Sequence, residues 1–345
     1  MAFAAPTESP TINAGHETGG PGLYGWLVFG IIFLLGFLDF AVRQMVVGIF
    51  PLLKEDWGLD DKSIGALAAI VPIAVGLSVI PLSLLIDRWS RVKAIFLMAI
   101  AWSLATIACG LATSFPQLMA ARLVVGLGEA AYGPAGFALI AFYFPPRLRA
   151  TAISGILIGA TLGNVVGIAS GGVLAERFGW QNSFIGVGLV CLIVSFAILL
   201  VKDYPTQPVS RSHEEKASPR TIVKALLGSP SALYCYLGGA MQLSVIAILF
   251  TWLASFFNRA HLMAVSEAAM LAAVTVMLGA IGSVIWGRAA DFWGSRDPNG
   301  RLYVPAIGAL LSAILLSCAF ATGATGTLQI ALIMGGSFVA TASLG

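Results

Sequence analysis

Apolar residues gather in long runs, separated by short polar breaks, at 24–50, 63–86, 93–113, 117–144, 149–173, 183–201, 231–258, 267–290, 302–322 and 327–345. Helices of about 20 residues cross the hydrocarbon core of a bilayer, and runs of this length and apolarity predict such helices. A polar stretch at 202–230 divides them into six and four. The pattern predicts an all-α polytopic membrane protein with a six-helix N-terminal half (24–201), a cytoplasmic linker (202–230) and a C-terminal half (231–345) of which four helices are present. Residues 1–23 are polar and rich in Pro, Gly and Thr, with no basic segment ahead of an apolar one. They read as a disordered tail, not a signal peptide. The last run is still apolar at Gly345, so the expectation is a chain shortened at its C-terminus, lacking the last two helices of a second six-helix half.

Composition agrees: 58% of the residues are hydrophobic and 10% charged, against about 25% charged in a soluble domain. The net charge of +3 comes without a basic tract, so nucleic acid is not an expected partner. The four cysteines (Cys109, Cys191, Cys235 and Cys318) all fall in apolar runs without a CxxC pair, and read as small packed side chains. No HExxH, GxSxG or P-loop pattern occurs. Nothing here points to an enzyme, a metal or a cofactor.

Arginine and lysine in the short loops set orientation. The breaks after the second, fourth and eighth runs carry Arg88, Arg91 and Lys93, then Arg147 and Arg149, then Arg288, Arg296 and Arg301. The linker adds Lys202, Arg211, Lys216, Arg220 and Lys224. Alternate breaks are poorer: Lys54 and Lys62 sit among acids, Arg177 beside Glu176, and Arg259 stands alone. Even-numbered helices are therefore expected to exit into the cytoplasm of a cell bounded by this (plasma or inner) membrane, with the N-terminus inside.

Charges inside the runs are the candidate chemistry. A charged residue at a membrane helix centre costs about 2.5–3.5 kcal/mol on insertion scales and tends to mark a substrate or proton path. Arg122 and Glu129 stand seven apart in the fourth run, on roughly one helix face; Tyr132 follows. Asp39 and Arg43 stand four apart in the first, the spacing at which a carboxylate and a guanidinium meet. The plainer readings are a snorkelling Arg122 and a static ion pair between helices. Ordinary packing competes with cavity lining for Tyr132 and Gln242. The fifth run carries Gly155, Gly159, Gly163, Gly167 and Gly171 at four-residue intervals, leaving one face nearly bare for the close approach of another helix.

The ends of the second and eighth runs repeat each other. Ser83-Leu-Leu-Ile-Asp87-Arg88-Trp-Ser-Arg91-Val-Lys93 and Gly287-Arg-Ala-Ala-Asp291-Phe-Trp-Gly-Ser-Arg296 both place a small residue four before an aspartate, with arginines beyond. Six helices separate the copies, as in parallel repeats about an axis normal to the membrane. The first copy resembles the loop signature of the major facilitator superfamily, with Ser83 and Ser90 in place of glycines. Arg122 to Tyr132, Arg147 to Ser154 and Asp291 to Pro305 resemble the Spinster-like branch. The resemblance covers residues 24 to 345. Relatives carry an adjacent Asp-Arg pair in the first helix, whereas here Val42 precedes Arg43 and the acid stands at Asp39.

The resemblance implies two rocking halves around a midplane cavity lined by the first and fourth helices. It gathers Asp39, Arg43, Arg122, Glu129 and Tyr132 into a substrate and proton site. It also implies a cytoplasmic latch of Asp87, Arg88, Arg91 and Asp291. Arginine grips a carboxylate or phosphate with a planar fork, and a membrane carboxylate freed from its arginine can take up a proton. The expectation is a monomeric secondary active transporter by alternating access, proton-coupled, its partners being membrane lipids, protons and either an amphipathic lipid or a small organic anion. Gly163 to Gly172 resembles the superfamily's antiporter signature without its proline, which leaves symport, antiport and uniport open. A non-transporting sensor or an inactive fragment is the alternative.

Overall fold

The computed structural model describes residues 21–86, 89–130, 132–203, 228–297, 300–321 and 326–343. All regular structure among them is helical. The helices are α1 (Gly22–Trp57), α2 (Asp61–Ile86), α3 (Arg91–Gly110), α4 (Phe115–Glu129), α5 (Tyr132–Tyr143), α6 (Pro146–Phe178), α7 (Trp180–Ser195), α8 (Pro230–Ala260), α9 (Val265–Gly294), α10 (Gly300–Ala321) and α11 (Gly326–Ala340). Short 3-10 segments extend α7 (Phe196–Leu200) and α11 (Thr341–Ser343). Nine stretches among the described residues are long and apolar enough to cross a membrane, and α11 is a shorter apolar helix. Each of the ten predicted runs coincides with helix over most of its described residues. The fourth comprises α4 and α5 on either side of residue 131, which lies outside the described residues, and together they make one apolar span, Phe115–Tyr143. The first starts and ends outside its predicted limits, running from Gly22 to Trp57 with Pro51 inside it.

Turns are made where the sequence supplies turn chemistry. α1 stops at Gly58, which sits at φ 61° and ψ 33°, left-handed backbone that glycine adopts without strain. Asp60 accepts the backbone N–H of Ser63 at 2.9 Å, capping α2, and bonding from Ser63 holds this exposed carboxyl below its usual range. Ser90 caps α3 in the same way, accepting from the Lys93 N–H at 3.1 Å. The bundle thus has a turn end, where the short connections at 58–60, 111–114, Gly179 and 261–264 lie, and a linker end, where the chain enters α1 and leaves α7.

The tightest seam in the molecule joins α1 to α6, two helices running in the same direction. A Cβ added at Gly155 or Gly159 would strike the rings of Phe29 or Phe33. At Gly163, Gly167 and Gly171 it would strike the backbone carbonyls of Phe37, Ala41 and Met45. The glycine row faces a row on α1 with the same four-residue step, so the two helices touch along their length, backbone to backbone in the upper part. This is the small-residue face expected of the fifth run, now with its partner identified.

The halves meet at the turn end. Gly172 of α6 lies so close to α9 that a Cβ there would collide with Ala269. Trp252 of α8 packs against Phe50 of α1, ring centroids 6.1 Å apart. Around these apolar contacts Asp61 binds Arg259, and Glu176 binds the N-terminus of α9.

Candidate functional site

The α1–α6 seam fixes how α1 is turned. Residues 37, 41 and 45 face α6. Asp39 and Arg43, each two positions on from one of these, are rotated about 200° away from it. They point instead toward α4, which is held by glycines of its own: Gly126 lies against Val71 and Ala74 of α2, and Gly128 against Trp102 of α3. Asp39, Arg43, Arg122 and Glu129 are thereby brought into one cluster inside the first half.

Arg43 is its hub. Its Nη2 donates to Glu129 Oε2 at 2.7 Å and its Nε donates to the same oxygen at 3.1 Å. Asp39 Oδ2 lies 3.9 Å from Nη2, the same-helix pairing that the four-residue spacing predicts. The guanidinium carbon also lies 4.9 Å from the centroid of the Phe40 ring. The Arg43 side chain keeps 23% of its exposure, against 4% for Asp39 and none for Glu129. It is the least buried side chain of the pairings it makes.

Arg122 does something else. It is 1% exposed, and its Nη2 donates to the carbonyl of Arg43 at 3.1 Å, its Nη1 to that of Val42 at 3.4 Å. It therefore clamps the backbone of α1 next to the hub instead of forming an ion pair with Glu129. Tyr132 is equally buried and donates its hydroxyl to the carbonyl of Ile32, tying α5 to α1, with its ring edge-on to Trp102 at 5.7 Å. Gln242, in α8, donates to the Ala340 carbonyl at 2.6 Å and ties α8 to α11.

The formal charges of the two arginines and two acids sum to zero, the balance under which charge can stay buried. Hydrogen bonding within it is incomplete. Asp39 Oδ1, Glu129 Oε1 and Arg122 Nε are buried without a hydrogen-bond partner, as is the indole N–H of Trp102, whose backbone and Cβ pack on Gly128. Glu129 thus keeps one oxygen unused, where a proton can sit without breaking its bonds to Arg43, and Asp39 meets Arg43 only at 3.9 Å. Trp102 was not singled out in the sequence. Its signal is a tryptophan placed in mid-span, away from the membrane interfaces where this residue is enriched.

Of the proposed latch, Asp87 and Arg88 lie outside the described residues. Arg91 opens α3 and Asp291 lies in the last turn of α9, both toward the linker end.

The sequence model described as Major Facilitator Superfamily matches residues 32–345. The chain belongs to this superfamily. It is 28% identical over 290 residues to an MFS-type efflux pump of Mycolicibacterium smegmatis, covering 81% of this chain and 65% of the pump. It is 24% identical over 312 residues to the 4-hydroxybenzoate transporter PcaK of Pseudomonas aeruginosa, covering 81% of this chain and 69% of that protein. The chain thus spans about two thirds of the length of these curated relatives. Among solved structures it is similar to a bacterial homolog of the human lysosomal transporter Spinster, in an inward-facing and unoccupied conformation. The TM-score is 0.83 at 25% identity, covering 94% of this chain and 74% of that one. Superfamily members are transporters and not enzymes, in line with the lack of any hydrolase or ATPase signature. The Spinster likeness agrees with the motifs at Arg122 to Tyr132 and Arg147 to Ser154.

Proposed function

We propose that the protein is a proton-coupled secondary transporter of small organic anions, working by alternating access. One observation carries this reading: Arg43 is a partly exposed guanidinium held by two carboxylates, each with a free oxygen. An incoming carboxylate competes with Glu129 and Asp39 for the Arg43 fork, which suits a planar oxyanion. A carboxylate that loses its cation in an apolar setting must be neutralised, and a proton on its unused oxygen does this. Anion and proton then bind together, each favouring the other, and that linkage is the thermodynamic signature of symport. Arg122 serves as a positioning residue, holding the α1 backbone so that Arg43 keeps its place beside Glu129. A carboxylate transporter among the relatives supports this choice of substrate.

Under the Lys/Arg rule the linker end is cytoplasmic, so contacts at the turn end close the outer side. Similarity to an inward-facing structure supports that orientation. The latch of Asp87, Arg88, Arg91 and Asp291 would then close the cytoplasmic side in the opposite state, in a monomer of the plasma (inner) membrane. The same likeness favours a second reading, an amphipathic lipid whose anionic head takes the place of the carboxylate.

The test is thermal stabilisation of the purified protein at pH 6 and pH 8. The panel sets aromatic and sugar carboxylates against lysophospholipids, with Arg43→Gln as control. Stabilisation by carboxylates, larger at pH 6 and lost in the variant, is the expected result. Stabilisation by lysophospholipids alone supports the second reading. Carboxylate stabilisation undiminished in Arg43→Gln contradicts the assigned site.

A further inference from the structure

The turn end holds a charge arrangement that joins the two halves and that the binding cluster does not use. Arg259 at the end of α8 grips Asp61 at the start of α2 with both arms of its fork, at 2.7 and 3.2 Å. Lys54, on α1 in the first half, binds the same Asp61 oxygen at 2.8 Å. Nearby, Glu176 of α6 accepts the backbone N–H of Ser266 at 2.8 Å. Ser266 lies in the first turn of α9, so a carboxylate from one half caps a helix of the other and meets the positive end of its dipole. Arg259 is the one charged residue between Pro230 and Ala260, and it stands on the side where arginine is otherwise scarce.

We propose that Asp61, Arg259 and Glu176 form a two-point lock that holds the turn end shut, with Lys54 as its release. The lock rests on the alternating-access reading: it must break each time the halves rock apart there. The side chains of Asp61 and Arg259 are 56% and 42% exposed, so water takes up much of what they lose on parting. Lys54 belongs to the same half as Asp61 and remains with it when Arg259 departs. The carboxylate is therefore never left without a cation, and the separation is kept easy. Lys54 also competes with Arg259 for the carboxylate and repels it. Neighbouring residues on one carboxylate should then act in opposite directions: removing Asp61 loosens the turn end, while removing Lys54 tightens it.

The experiment is a distance measurement by electron spin resonance across the turn end. Spin labels are carried on non-natural residues at positions 55 and 262, both exposed, so the native cysteines stay in place. The protein sits in lipid nanodiscs without substrate, so failure of the lock and failure of the transport reading are separately visible. Asp61→Asn and Glu176→Ala are each expected to raise the ratio of long to short distances by roughly three- to fivefold, the scale of an exposed ion pair. Lys54→Gln is expected to lower that ratio. Salt at about 1 M, where the Debye length is about 3 Å, should mimic Asp61→Asn in the native chain. An unchanged distribution in the Asp61→Asn, Glu176→Ala double variant would overturn the lock. A shift of Lys54→Gln in the same direction as Asp61→Asn would overturn the role given to Lys54.

Discussion

α1 and α8 open the two halves, and the chain treats them differently. α1 carries Asp39 and Arg43 in mid-span and is held along one side by the glycine row of α6 and on another by Arg122 and Tyr132. α8 carries no charge before Arg259. It is joined to its own half through packing on α9 and the bond from Gln242 to Ala340. The difference teaches what a buried charge requires. A helix free to rotate a fraction of a turn could not keep Arg43 at 2.7 Å from Glu129. The glycine seam supplies that rotational precision to α1.

The sharpest way to break the comparison is to place the same side chain on both helix systems. Gly167→Leu drives a large side chain into the Ala41 carbonyl, so a loss of about 3 kcal/mol is expected, with the cluster displaced. Gly239→Leu on α8 meets nothing within 4 Å and should stay within about 0.5 kcal/mol of the native protein. Thermal unfolding of the two variants in one detergent checks the pair. Equal losses would remove the seam's special role.

Of similar size is the effect expected at the hub. Arg43→Gln leaves two buried carboxylates without their cation and is expected to cost about 3 kcal/mol. Adding Glu129→Gln removes one of them and should return a large part of that loss. A double-mutant cycle by thermal unfolding reads this coupling. A smaller effect is expected from Tyr132→Phe, about 1 kcal/mol, because one hydrogen bond to the Ile32 carbonyl is lost and the ring packing on Trp102 stays.

Much of this was legible in the sequence, and the limits have physical causes. The ten apolar runs mark helices because hydrophobic length is a local property, written in each run. Asp39 with Arg43 is local too, being one helical turn, and the structure has that pair. Arg122 and Glu129 share a face, as their spacing implies, yet one goes to backbone carbonyls and the other to Arg43. Their fates depend on the stagger between α1 and α4, which long-range packing of glycines sets and spacing cannot give. Arg259 and Asp61 stand 198 residues apart, so their pairing is likewise hidden. A lone arginine in a loop that is otherwise poor in cations was the available hint.

The central claim is that a proton on the Arg43 cluster is coupled to the movement of an anion. Glu129→Gln in proteoliposomes tests it most directly, with 4-hydroxybenzoate as the first solute and a pH gradient imposed across the membrane. The substitution keeps the shape of the side chain and removes its ability to take and give up a proton. Accumulation driven by the gradient is predicted to vanish in the variant while exchange of labelled for unlabelled solute continues. Gradient-driven accumulation equal to that of the native protein would contradict the account.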